Sequence, residues 1–257
     1  MTALTITIDV GAFGSPLLTW ASVATVIGAA VAVGLFVRRA PRLGIDRWDA
    51  YGLALAAALG AFVGARAFHV LEHVGFYASA PWLTVYIWRG GLALWGAIAG
   101  GTAVAWLASR RRSWPLQRLL DAATVPSIVA ILLSRVGSLL AGDLAAAPST
   151  LPWAVDYPGD GAGAVHLVAA YELVWTAAVL GIVAWLTGAR HPASARRSVL
   201  ALGLYAAGRF VIGFARAEPT AALGLSLSQI VSIAVAAWVA WSAWRSAAPR
   251  AGERARR

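Results

Sequence analysis

Long apolar stretches separated by short polar ones dominate the pattern of this chain. An α-helix needs roughly 17 to 25 predominantly apolar residues to cross the hydrocarbon core of a bilayer. The pattern predicts seven such segments, near residues 16–37, 50–71, 91–109, 120–141, 166–188, 198–216 and 227–245. We therefore expect an all-α integral membrane protein in which residues 1–257 form a single membrane domain with seven transmembrane helices.

The distribution of arginine predicts the orientation of these segments. All 21 basic residues are arginines, and 16 of them lie at one set of segment ends. The positive-inside rule places those ends in the cytoplasm. We expect the N-terminus outside, the C-terminus inside, residues 142–165 as a small extracytoplasmic cap and residues 246–257 as a basic cytoplasmic tail. No basic residue precedes the first segment, so we expect a retained anchor and not a cleaved signal peptide.

Composition supports the membrane assignment and excludes several kinds of site. Hydrophobic residues make up 60% of the chain and charged residues 12%. The chain has no cysteine, which excludes disulfides, thiolate catalysis by the protein and cysteine metal sites. We expect the lipid bilayer as surroundings, and no cofactor, metal site or nucleic-acid partner.

Five arginines depart from the orientation rule because they lie in the outward half of the membrane or in outer loops. A buried guanidinium is costly unless an anion meets it. One interpretation is pairing with nearby carboxylates; the other is a shared anionic ligand. Phosphate suits the planar guanidinium fork, and the abundant phosphate in a membrane is a phospholipid headgroup. The five are Arg66, Arg89, Arg135, Arg209 and Arg216, and the candidate carboxylates are Glu72, Asp143, Glu172 and Glu218.

Helical spacing places some of these groups together. Tyr205, Arg209 and Arg216 are expected on one face of the sixth segment. Arg66 shares a face of the second segment with two histidines, His69 and His73, which we expect to be solvated at the membrane interface.

Glycines cluster at the start of the third segment. The small residues Gly96 and Gly100 are typical of close helix packing. Gly90 and Gly91, beside Arg89, are expected to expose backbone N–H groups that can bind a phosphate.

A series of short motifs occurs in order along the chain. It comprises GGL from residue 90, RVGS with GD from 135, PWAVDYP from 152, His166 with YE at 171, YxxxRFxxxFxR from 205 and GLSLSQIVS from 224. This series resembles the prolipoprotein diacylglyceryl transferase family. The resemblance implies transfer of diacylglyceryl from phosphatidylglycerol to the lipobox cysteine of a preprolipoprotein, at the outer face of the bacterial cytoplasmic membrane.

The resemblance also implies roles for particular residues. Arg135, Arg209 and Tyr205 match residues that are essential in the family, and His166 is the candidate that accepts the thiol proton because its ordinary pKa lies near neutrality. Capping of the fifth segment is an alternative role for His166, and Glu172, Asp143 and Tyr205 are alternative proton acceptors. The residues expected to bind substrate are Arg66, Gly90, Gly91, Asp143, Tyr171, Glu172 and Arg216.

Several positions depart from the family pattern. Trp95 stands where many members carry His or Tyr, and Gly213 replaces an acid. Indole cannot act as a base, so the groups that would handle the thiol proton are less well retained than those that would bind phosphate. Two alternatives therefore stay open: a non-catalytic paralogue that binds anionic phospholipid or lipoprotein precursors, and a small-solute transporter, although no inverted repeat is visible in the sequence.

Overall fold

The computed structural model describes residues 19–87, 90–141, 146–156, 163–186 and 197–247. Asp143, Arg89 and most of the expected basic tail lie outside these described residues. The described part is mostly helical. Its α-helices are α1 (Trp20–Arg39), α2 (Arg47–Glu72), the short α3 (Val74–Ser79), α4 (Leu94–Arg112), α5 (Leu116–Ala141), α6 (Val168–Leu186), α7 (Arg197–Ile212) and α8 (Leu227–Ala247).

Six of these helices are long and apolar enough to cross a membrane, which confirms a multi-pass membrane protein. They are α1, α2, α5, α6, α7 and α8. The predicted third segment also forms a long helix, α4, but its last turn consists of Arg110, Arg111 and Arg112. These charges make α4 less apolar than the other six.

Polar side chains define where the first two helices begin. The Thr19 hydroxyl accepts a hydrogen bond from the N–H of Ser22 at the start of α1. The Asp46 carboxylate accepts from the N–H groups of Trp48 and Asp49 at the start of α2. Such caps satisfy N–H groups that have no partner within the helix.

Small residues allow α2 and α4 to pack in close contact. Gly60 and Gly64 of α2 face Gly96 and Gly100 of α4, and a Cβ added at Gly64 would lie 3.0 Å from the Gly100 Cα. The two glycine pairs have the four-residue spacing of close helix packing in membranes. The predicted packing role of Gly96 and Gly100 is thus confirmed.

Short β-structure occurs in the described part of the expected cap and in the segment after α7. Strand β1 (Val155–Asp156) pairs antiparallel with β2 (Ala164–Val165), and β3 (Thr220–Ala222) pairs antiparallel with β4 (Leu225–Ser226). The Ala147 N–H donates to the Ala215 carbonyl at 2.9 Å. This bond joins the segment after α5 to the segment after α7.

The end of α7 differs from the sequence-based expectation. The predicted segment 198–216 placed Tyr205, Arg209 and Arg216 on one helical face, but α7 ends at Ile212 and a single 3-10 turn follows at Gly213–Ala215. Arg216 is then extended, with φ −102° and ψ 142°. It therefore reaches the other two residues from a loop, which is a correction to the predicted helical stripe.

Candidate functional site

A chain of ion pairs links three helix ends and one loop. The Arg135 Nη1 atom lies 2.9 Å from Glu172 Oε2, and Glu172 Oε1 lies 3.3 Å from Arg216 Nη1. Arg216 Nε donates to Glu218 Oε1 at 2.8 Å, and Arg209 Nη2 binds the same Glu218 oxygen. The order is therefore Arg135, Glu172, Arg216, Glu218 and Arg209, with three cations and two anions.

Burial strengthens these ion pairs. The five side chains are between 8% and 20% exposed. Burial acts to raise the pKa of Glu218, but the positive charges of Arg209 and Arg216 outweigh it and hold this pKa below its ordinary value. The Glu218 carboxylate is therefore ionised at neutral pH, and the three arginines of this chain of ion pairs outnumber its two carboxylates by one.

A small cavity adjoins the ion pairs. The Arg209 Nη1 and Tyr205 hydroxyl atoms are buried and have no hydrogen-bond partner among the described residues. Both residues line the cavity, so two polar groups are available to a ligand there. The lining consists of Arg135, Glu172, Trp175, Thr176, Tyr205, Arg209 and Ile212.

Trp95 lies against Tyr205 in the interior. Its ring meets that of Tyr205 edge to face, with centroids 5.3 Å apart. The Trp95 Nε1–H donates to the Ser228 carbonyl at 3.1 Å, and the Ser228 hydroxyl donates to Glu72 Oε1. Trp95 is thus a packed and hydrogen-bonded side chain beside the cavity.

Arg66 has a different role from the predicted phosphate ligand. Its five N–H donors are directed at backbone carbonyl oxygens of the segment between α3 and α4. The acceptors are Leu83, Thr84, Tyr86, Gly90 and Gly91, at 2.7 to 3.5 Å. Arg66 therefore organises this segment and has no donor left over for a phosphate.

Gly90 and Gly91 present their carbonyl oxygens to Arg66, and the expected binding of a phosphate by their N–H groups stays a prediction. They precede α4 by four and three residues, and their φ angles are 80° and 81°. The Gly90 N–H donates to the Ile87 carbonyl at 3.2 Å. Glycine is needed here for the left-handed backbone conformation.

His166 lies two residues before the start of α6, Tyr171 lies in its first turn beside Glu172, and neither lines the cavity. The backbone N–H of His166 donates to the Ala147 carbonyl at 3.0 Å. The His166 ring meets the Tyr171 ring edge to face, with centroids 6.1 Å apart. The Tyr171 hydroxyl accepts from Trp153 Nε1 at 2.7 Å. These contacts join the described part of the cap to α6.

Comparison with known proteins identifies the family of this chain. A family model described as prolipoprotein diacylglyceryl transferase matches residues 11–245. The chain belongs to this family. The family predicted from the ordered motifs is therefore confirmed.

Relatives named phosphatidylglycerol–prolipoprotein diacylglyceryl transferase match most of the chain. One from Streptomyces griseus is 34% identical over 220 residues, covering 80% of this chain and 67% of its own length. One from Streptomyces coelicolor is 32% identical, and the match covers 80% of this chain and 64% of that relative. One from Chromohalobacter salexigens is 30% identical, and the match covers 90% of this chain and 89% of that relative. The chain thus spans about two thirds of the two Streptomyces relatives.

The acid that the family pattern places in the sixth segment is replaced by Gly213 in this prolipoprotein diacylglyceryl transferase family member, and a Cβ added at Gly213 would lie 2.7 Å from Gln229 Cγ. Glu218, five residues further on in the loop after α7, binds Arg209 and Arg216.

Sequence reasoning named Glu218 only as one possible partner for arginine, and it missed the cavity residue Trp175. Gly208 is a signal that could have indicated Trp175, because an added Cβ there would overlap the Trp175 indole. The Trp175 Nε1–H also donates to the Leu204 carbonyl at 2.9 Å. No helical periodicity could place Glu218, since it follows a turn.

Proposed function

We propose that this chain transfers the diacylglyceryl group of phosphatidylglycerol to the lipobox cysteine of a preprolipoprotein. One observation supports the proposal: among the described residues, the buried chain of ion pairs has three arginines to two carboxylates, and it lies beside a cavity with two polar groups that have no hydrogen-bond partner there. The phosphatidylglycerol headgroup carries one negative charge. The family to which the chain belongs supports the reaction class.

The lipid phosphate is expected to bind between Arg135 and Arg209. Arg135 reaches the cavity from α5 and Arg209 from α7, and both line it. The free Nη1 of Arg209 and the Tyr205 hydroxyl can each donate a hydrogen bond to a phosphate oxygen. Glu172 and Glu218 hold the arginines in place, so the positive charges are preorganised before the lipid arrives.

The reaction displaces a phosphate ester from an sp3 carbon. The cysteine thiolate attacks the glycerol carbon, the S–C bond forms, the C–O bond breaks, and glycerol phosphate leaves with the electron pair. Negative charge on the departing phosphate increases during this step. Arg135 and Arg209 stabilise that charge. Because the charge develops in the transition state, this stabilisation lowers the barrier and accelerates the reaction.

The proposal includes seven membrane spans with the site at the outer face of the bacterial cytoplasmic membrane. Arg135 lies near the end of α5, Glu172 near the start of α6 and Arg209 near the end of α7. These ends are therefore on one side. The arginine-rich ends of α1 and α4 are expected on the opposite, cytoplasmic side. α4 then serves as the seventh span through its close packing with α2.

A binding protein without catalysis is the second candidate function. Trp95 favours it, because an indole fills the space beside Tyr205 where many family members carry a residue able to exchange a proton. Such a protein would bind phosphatidylglycerol at the same arginines and leave the cysteine unmodified.

Complementation separates the two functions. The wild-type gene is expressed in a bacterial strain depleted of its own transferase, beside Arg209→Ala and the matched cytoplasmic control Arg118→Ala. We expect growth with wild type and Arg118→Ala and none with Arg209→Ala, at equal protein levels in the membrane. Failure of well-expressed wild type, together with retained phosphatidylglycerol binding by the purified protein, would support the binding protein instead.

A further inference from the structure

The buried indole of Trp95 joins three helices beside the arginine cavity. Trp95 is the second residue of α4, and 4% of it is exposed. Its Nε1–H donates to the carbonyl of Ser228, at the start of α8, at 3.1 Å. Its ring meets the ring of Tyr205, on α7, edge to face with centroids 5.3 Å apart. The ends of α4 and α8 and the middle of α7 therefore meet at this side chain.

The backbone that carries Trp95 is held against α2. A Cβ added at the next residue, Gly96, would lie 2.7 Å from the carbonyl carbon of Gly64. The Ala93 N–H donates to the Ala65 carbonyl at 3.1 Å. Because the two helices are in contact on both sides of Trp95, the indole cannot shift unless the start of α4 leaves α2.

The acceptor of the indole N–H is also held in place. The Ser228 hydroxyl donates to Glu72 Oε1, and the Ser228 carbonyl accepts a second hydrogen bond from the Ser232 hydroxyl at 2.7 Å. Ser228 and Ser232 are both buried. The indole is thus fixed by its backbone at one end and by its hydrogen bond at the other.

The Tyr205 hydroxyl has no comparable support. It is buried and has no hydrogen-bond partner among the described residues, although the side chain lines the cavity. An aromatic side chain can occupy several staggered rotamers, and its neighbours decide which one is adopted. The packing of the Tyr205 ring therefore determines where the hydroxyl lies, and Trp95 occupies the space toward α4 and α8.

We propose that Trp95 is a positioning residue that holds the Tyr205 hydroxyl in the arginine cavity. The inference rests on the proposed function, in which this hydroxyl donates a hydrogen bond to the lipid phosphate. A donor that is already in place loses little conformational freedom when the lipid binds. A small side chain at residue 95 would leave space into which the Tyr205 ring can turn, and the hydroxyl would then leave the cavity.

This role requires no proton exchange by the indole. The indole nitrogen is a donor only, and the Ser228 carbonyl is its acceptor. Trp95 therefore acts on the lipid through the position of Tyr205, and it does so in a transferase and in a binding protein alike.

A double-mutant cycle tests the coupling between the two side chains. Phosphatidylglycerol binding is titrated in nanodiscs for wild type, Trp95→Ala, Tyr205→Phe and the double variant. Tyr205→Phe removes only the hydroxyl and should weaken binding about tenfold, as expected for a hydrogen bond to a charged group. Trp95→Ala should weaken binding about tenfold in wild type and less than about twofold in Tyr205→Phe, because no hydroxyl is left to misplace.

Two single variants separate the ring contact from a general effect of losing a tryptophan. Trp95→Phe keeps an aromatic ring against Tyr205 and loses only the bond to Ser228, so binding should weaken by no more than about threefold. The matched control is Trp238→Ala, since Trp238 lies on α8 and is 48% exposed. This control should bind phosphatidylglycerol as wild type does.

The contrary results distinguish this inference from the proposed reaction. Equal weakening by Trp95→Ala in the wild-type and Tyr205→Phe backgrounds would indicate a general loosening of the helices and would overturn the positioning role. Coupled lipid binding in a wild type that transfers no diacylglyceryl group would reject the reaction and support the positioning role. A wild type that binds no phosphatidylglycerol would overturn both.

Discussion

Replacing Glu172 with glutamine should destabilise the helix bundle. Its carboxylate bridges Arg135 of α5 at 2.9 Å and Arg216 beyond α7 at 3.3 Å. Glutamine keeps the shape of the side chain but removes the charge, so both guanidiniums lose an anionic partner. The variant therefore tests whether the ion-pair chain holds α5, α6 and the loop after α7 together.

The size of the effect follows from burial. Glu172 is 8% exposed and its two partners are 20% and 16% exposed, so water screens these pairs weakly. Removing one partner of a buried ion pair costs about 3 to 5 kcal/mol. The control is Asp49→Asn, which breaks the pair with Arg112, a residue that is 59% exposed. A surface pair of this kind contributes about 0 to 1 kcal/mol.

Unfolding in mixed micelles measures both variants. The tryptophan fluorescence of the chain, which has 13 tryptophans, is followed as the fraction of denaturing detergent rises. We expect Glu172→Gln to lose at least about 2 kcal/mol more than Asp49→Asn. Equal losses in the two variants would refute the argument that burial makes the Glu172 pairs strong.

Four further predictions follow from the site. Arg135→Lys should weaken phosphatidylglycerol binding about tenfold because Lys lacks the planar fork, whereas Arg118→Ala should not, as measured by lipid titration in nanodiscs. An Arg111→Cys variant should resist an impermeant thiol reagent in intact cells. His166→Gln should lower the transfer rate by less than about tenfold, because His166 lies outside the cavity lining. The stability difference between wild type and Glu218→Gln should stay constant from about pH 8 to about pH 5.

The sign of the pH prediction comes from the lowered pKa of Glu218. A carboxylate of this kind stabilises the folded state above its unfolded pKa, and the contribution is lost only as pH falls through the lower folded value. A difference that already shrinks between about pH 7 and about pH 6 would contradict it.

The other three predictions have their own contrary results. Equal weakening by Arg118→Ala would mean general electrostatic attraction and not a site. Labelling of Arg111→Cys, with Asp156→Cys as the control that should be labelled, would reverse the proposed topology. A loss of more than about a hundredfold in His166→Gln would make His166 the proton acceptor.

The sequence predicted the helices well because the bilayer imposes length and apolarity on each span. Every predicted segment contains a long helix. The expectation that Arg135, Tyr205 and Arg209 meet came from the family motifs, and all three line one cavity. The prediction from helical spacing was wrong beyond the end of the helix. α7 ends before Arg216, and no periodic rule describes the turn that brings Arg216 to Glu172.

Loop contacts could not be predicted for the same reason. Arg66 is bound by carbonyls of the segment from Leu83 to Gly91, and carbonyl directions in an irregular segment are not encoded in residue type.

Transfer of diacylglyceryl to a synthetic lipobox peptide is the direct test of the proposed transferase function. Purified wild type, Arg135→Ala and Arg118→Ala are incubated with phosphatidylglycerol and the peptide, and the peptide mass is measured with time. We expect wild type and Arg118→Ala to add one diacylglyceryl group to the cysteine and Arg135→Ala to add none. An unchanged peptide mass with wild type that binds phosphatidylglycerol would contradict it.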